Sequence, residues 1–137
     1  MACGAGGGDD GPAGPDATAV SASCREATEH SDIEWIQDNV LTPSCAAFNA
    51  CHKGAALSAA GLNLEAGNAE SNMLGAPSTQ FPSFDLVVAG DPSSSYLMII
   101  LGAEDGPLDP GVGTMPFSSD VLCEQKLDAI RRWIAAM

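Results

Sequence analysis

Apolar residues recur at helical spacing in only a few short stretches of this chain. Ile33, Ile36, Val40 and Leu41 share one face of a segment from about Asp32 to Leu41, with Ser31 or Asp32 as its cap and Thr42-Pro43 as its stop. A second short helix is predicted to carry Cys51 and His52 and to end near Gly54, and a third to cover 65–74 before Gly75-Ala76-Pro77. Leu86-Val87-Val88 has strand character but no evident partner, so at most it forms a short hairpin edge. Asp91 as N-cap and Pro92 at the first helical position open a further helix to about Leu101. Residues 102–113, crowded with glycine and proline, read as loop. The last helix, capped by Ser118 or Ser119, carries the stripe Cys123, Leu127, Ile130 and Ile134 with Trp133 beside it. No internal repeat is visible. The pattern predicts an all-α domain of about five short helices around a pocket, joined by long loops.

The N-terminal stretch breaks this pattern. Residues 1–25 are rich in Gly, Pro and Ala and show no hydrophobic period, so they read as a flexible tether, leaving 26–137 as one domain. At 137 residues the chain is long enough for one modest core. Its apolar content leans on alanine, with few aromatics.

Charge narrows the partners. The net charge is −13, and removing Asp9, Asp10 and Asp16 with the tether leaves −10 on the domain. Contact with nucleic-acid phosphates needs clustered Lys and Arg, which five basic residues against 18 acidic ones do not supply. A soluble acidic surface is the simpler reading; steering toward a basic partner is the functional one. No segment approaches the roughly 18 to 20 apolar residues of a membrane-spanning helix.

The candidate chemistry lies in Cys45-Ala-Ala-Phe-Asn-Ala-Cys51-His52. A spacing of six on a regular helix puts the two thiols about 240° apart, so they can face one ligand only if Ala46 to Asn49 bulge out of helical geometry. Downstream, Pro116 holds Met115 on a stiff loop within Gly113-Thr-Met-Pro-Phe117. A thioether is a soft ligand suited to iron.

These segments resemble the small class I c-type cytochromes. Cys51-His52 is similar to the second half of the haem-attachment motif C-x-x-C-H, stretched here to C-x5-C-H. Gly113–Phe117 resembles the distal methionine loop, Gly90-Asp-Pro-Ser-Ser-Ser-Tyr-Leu97 a recurring segment of such bacterial domains, and Leu127–Ile134 the closing helix. The likeness covers roughly residues 31–137 in the expected order. It implies a cytochrome c fold around one covalent haem c, with Cys45 and Cys51 as thioethers and His52 and Met115 as axial ligands. Two thioethers are favoured over one, although Phe48 stands where the first haem cysteine normally does. The implied function is periplasmic electron transfer by a monomer, not catalysis, with redox proteins as partners.

Met1-Ala2-Cys3 resembles the end of a bacterial lipobox, which would make Cys3 an acylated anchor and the chain a membrane-tethered lipoprotein. With Cys3 given to lipid and Cys45 and Cys51 to haem, Cys24 and Cys123 remain for a disulfide in an oxidising compartment. The competing pairing, Cys45 with Cys51, leaves no thiols for haem. Two readings of other classes stay open: a gas-ligand or peroxidase-like haem protein with a weak sixth ligand, and a haem-free interaction module held by both disulfides.

Other residues read more plainly. Met73 and Met98 sit at core spacing, and His30 reads as solvent-exposed. Phe48 covers the vinyl edge of a haem or is an exposed loop aromatic. Arg131 or Arg132 meets a propionate or is solvated. No activating Ser-His-acid arrangement exists, and Cys51-His52 lacks the C-x-x-C partner that zinc or thiol redox chemistry needs.

Overall fold

A computed structural model describes residues 20–137. The expected lipid anchor at Cys3 and most of the tether lie outside the described residues. The packed chain starts inside the segment whose composition suggests a tether: α1 spans Ala22–Glu26, capped by the Ser21 hydroxyl, and Cys24 and Ala27 are fully buried.

α2 spans Ile33–Ile36, and the Asp32 carboxylate caps it by accepting from the Trp35 N–H at 2.9 Å. It then runs straight into a nine-residue π-helical segment, Gln37–Cys45, that passes through Pro43 instead of stopping before it. In an α-helix a proline ring collides with the carbonyl four residues back. The wider turn removes that register, as the bond from the Ala46 N–H to the Leu41 carbonyl at 2.7 Å shows.

No helix carries Cys51 and His52. Residues 46–64 form successive turns, because Gly54, Ala56, Ala60 and Gly61 all adopt left-handed backbone that cannot propagate a right-handed helix. Gly67, also left-handed, delays the next helix, so α3 covers only Ala69–Met73. Leu74 and Val87, and Pro77 and Asp85, pair as isolated bridges, so the Leu86–Val88 run builds no longer strand. Asp91 caps a short 3-10 turn, Pro92–Ser94, and α4 follows at Tyr96–Ile100.

α5, Glu124–Ala135, is the longest α-helix described. Ser118 and Ser119 do not cap it: Ser118 has a φ of 55°, outside capping geometry, and Cys123 occupies the N-cap position. Cys123 is disulfide-bonded to Cys24 with the Cα atoms 6.4 Å apart, which ties α1 to the start of α5. Arg132 strengthens the same contact by donating to the carbonyls of Ala27 at 2.7 Å and His30 at 2.8 Å. Leu127, Ile130 and Ile134 of α5 meet Ile36, Val40, Met73 and Met98 in one core. At the far side of α4, the Cα of Gly106 lies so close to Ile99 that an added Cβ would come within 2.6 Å of its side chain.

Candidate functional site

The wider geometry of residues 37–45 delivers Cys45 to the edge of a cavity of about 570 Å3. That size falls within the 300–1,000 Å3 typical of small-molecule and cofactor sites. Cys45, Cys51, His52 and Met115, the four residues singled out for haem, all stand in its wall. Leu62 and Leu64 contribute from the turns, Tyr96, Leu97 and Ile100 from α4.

Between the two cysteines residues 46–49 bulge away from the cavity wall, and Ala50 returns to it beside Cys51. The His52 N–H donates to the Cys45 carbonyl at 2.9 Å and the Cys51 N–H to the Phe48 carbonyl at 2.9 Å, which closes the bulge at its base. Phe48 rides on this loop, 39% exposed and outside the cavity lining, so it shields no pocket edge. Cys45 is a free thiol. Burial pushes it up to about 12, so it is protonated at neutral pH. Cys51 is buried and is disulfide-bonded in this structure, so any thioether at that sulfur requires prior reduction.

His52 is held in one orientation. Its Nδ1–H donates to the Leu62 carbonyl at 3.0 Å, and the Leu64 N–H returns a bond to the His52 carbonyl at 2.9 Å. A carbonyl can only accept, so Nδ1 carries the proton and Nε2 of the neutral ring keeps its lone pair. Burial holds the pKa of His52 below its ordinary 6.5, opposed in part by the bond to Leu62, so the ring is neutral at pH 7.

Met115 reaches the cavity from the loop before α5, and its N–H donates to the Ile100 carbonyl at 2.7 Å, fixing it to the end of α4. Tyr96 closes another side: its hydroxyl donates to the Pro107 carbonyl at 3.1 Å, and its ring packs against Phe81 and Phe84 with centroids 5.6 and 5.8 Å away.

The wall contains no Asp, Glu, Lys or Arg, although the chain as a whole carries −13. Such a lining suits a large, flat, mostly apolar group. Among the described residues no three His, Cys, Asp or Glu side chains gather to hold a bare metal ion. His52 and Met115 offer one nitrogen and one sulfur in this wall, a donor pair that would suit a metal already held by a macrocycle. These residues therefore fit a haem.

Other candidates are occupied elsewhere. Arg131 pairs with Glu104 and Asp128 and donates to the Ala103 carbonyl, and Arg132 clasps the turn after α1, so neither faces the cavity. His30 stacks on Trp35 at 4.7 Å and its Nδ1 lies 2.8 Å from the Asp32 carboxylate. Met73 and Met98 are core residues.

Sequence reasoning overlooked Gln37, Tyr96 and the Leu62 carbonyl. The signal for Gln37 was present: an amide one turn from both Ile33 and Val40 lies on the face that the apolar residues bury. Comparison with protein-family models, with curated proteins and with solved structures returned no match.

Proposed function

We propose that this chain is a monohaem c-type cytochrome that carries electrons, with His52 and Met115 as axial ligands. The observation that carries this reading is the His52 ring, whose Nδ1–H is committed to the Leu62 carbonyl so that Nε2 offers a lone pair beside an uncharged cavity. A histidine that ligates a metal needs that arrangement, because the second hydrogen bond fixes the tautomer and makes the ring a better donor. Bound haem would supply a one-electron iron couple, its potential raised by a His/Met ligand pair relative to two histidines. The protein's part is to orient His52 and Met115, to keep charge and water out of the pocket, and to anchor the group through Cys51 and Cys45 once both are thiols.

Once Cys51 is reduced by an external dithiol, attachment would add each cysteine S–H across one vinyl group, sulfur to one carbon and hydrogen to its neighbour, with no net oxidation. The bulge at residues 46–49 supports two attachments, since it lets a spacing of six bring both cysteines to one cavity. The reading extends to a periplasmic, lipid-tethered monomer anchored at Cys3. A carrier at −13 would dock on a basic surface of its redox partner.

The test is a reduced pyridine haemochrome spectrum with denaturing intact mass, on protein exported with the cytochrome c maturation machinery. Haem retained in the mass with a two-thioether band is the expected result. A colourless protein lacking the haem mass overturns the reading and leaves a disulfide-held interaction module as the better account.

A further inference from the structure

We infer that Gln37 is a positioning residue for His52, acting through the segment Leu62-Asn63-Leu64; the inference rests on the haem reading for its consequence and on geometry for its content. Gln37 opens the π-helical segment and is 6% exposed. Its Nε2 donates to the Thr42 hydroxyl at 3.0 Å and, across 27 residues of chain, to the Leu64 carbonyl at 2.9 Å. The Leu64 N–H in turn donates to the His52 carbonyl, and the His52 ring donates to Leu62. One buried amide thus holds the segment whose other carbonyl fixes the ring.

A second strap holds the same segment from outside. The Asn63 amide donates to the Gly54 carbonyl at 2.9 Å and to the Glu65 carboxylate at 3.0 Å, while its oxygen accepts from the Glu65 N–H at 2.8 Å. That carboxylate also accepts from the Gly54 N–H at 3.0 Å. Residues 52–54 and 62–65 are therefore joined by four hydrogen bonds, and Gln37 holds Leu64 from the other side. The Leu62 carbonyl has little freedom to leave Nδ1, and the surrounding turns have no regular helix or strand to hold it otherwise.

The arrangement also gives the π-helix a role. A π-turn embedded in a helix is frequent at functional sites. Here the segment begins with the amide that braces His52 and ends with Cys45 on the same cavity.

Gln37→Glu is the test, because it keeps the shape and exchanges the donor for an acceptor facing the Leu64 carbonyl. Two readouts separate positioning from mere stability. In the haem-free full chain, 15N shifts of the His52 ring report the tautomer: wild type is expected to show Nδ1–H alone, and the variant a mixture with Nε2–H. In the haem-loaded protein, a looser Nδ1 bond makes His52 a weaker donor to ferric iron, so the reduction potential is expected to rise. Asn63→Ala, which cuts the outer strap at a half-buried position, carries the same readouts if Gln37→Glu does not accumulate. A lowered Tm with an unchanged tautomer and potential overturns the inference. Absence of haem from the wild type overturns the cytochrome reading instead and leaves the tautomer measurement intact.

Discussion

The backbone N–H of His52 donates to the carbonyl of Cys45 at 2.9 Å, across seven residues of chain. This one bond pinches the motif so that residues 46–49 leave the cavity while both cysteines stay in its wall. A spacing that a regular helix cannot use becomes usable.

Cys45→Ala is therefore expected to change the chemistry of attachment without abolishing it. The variant should retain haem by mass through Cys51 and give the one-thioether haemochrome band, where wild type gives the two-thioether band. Identical bands in the two proteins would show that Cys45 takes no part.

Replacing Met115 by alanine should leave covalent haem in place and empty one axial position. The reduction potential is expected to fall, because a His/Met pair sits above ligand sets without the thioether. Oxidised and reduced spectra should gain sensitivity to added cyanide or carbon monoxide. A spectrum identical to wild type would favour a ligand-binding protein whose sixth site Met115 never filled.

The bridge between Cys24 and Cys123 closes a loop with a sequence separation of 99. Chain-entropy reasoning gives such a loop about 4–5 kcal/mol, and measured values for removed bridges commonly fall near 2–4 kcal/mol. Cys24→Ala with Cys123→Ala should lower urea-unfolding stability by about that amount. The loss should appear in the midpoint and free energy, and it should not alter the cavity chemistry, since neither residue lines it.

A pH dependence follows from His52. Its folded pKa lies below 6.5, so between that lower value and 6.5 the unfolded chain binds more protons than the folded one. Stability from this group is present above pH 6.5 and is lost as pH falls toward the folded value. In the haem-free chain, urea stability should drop more between pH 7.5 and 5 for wild type than for His52→Leu. Parallel curves would contradict a buried neutral ring.

The sequence made the closing helix legible, because Leu127, Ile130, Trp133 and Ile134 repeat at a period that only burial on one face explains. Asp91-Pro92 marked its turn for a similar reason: cap and fixed φ are local instructions. Where tertiary contacts decide, local reading failed. Pro43 ends an α-helix by sterics, but the same residue passes through a π-turn, and nothing in its neighbours announces the change of period. The turns at 54–61 include two alanines in left-handed backbone, a choice that composition argues against and only the surrounding hydrogen bonds enforce. The chemistry-bearing residues were readable from their types; the carbonyl of Leu62 was not, since a backbone acceptor leaves no mark in the side-chain code.

The π-helical segment makes chain length itself a determinant of the site. Gln37 and Cys45 stand at opposite ends of one nine-residue segment, one bonded to Leu64 and the other at the cavity wall. Deleting any residue between them would turn everything beyond by nearly a quarter turn relative to Gln37. The amide could keep its bond or the thiol its place, but not both. Relatives that share this architecture should therefore vary in residue identity between these positions far more readily than in number.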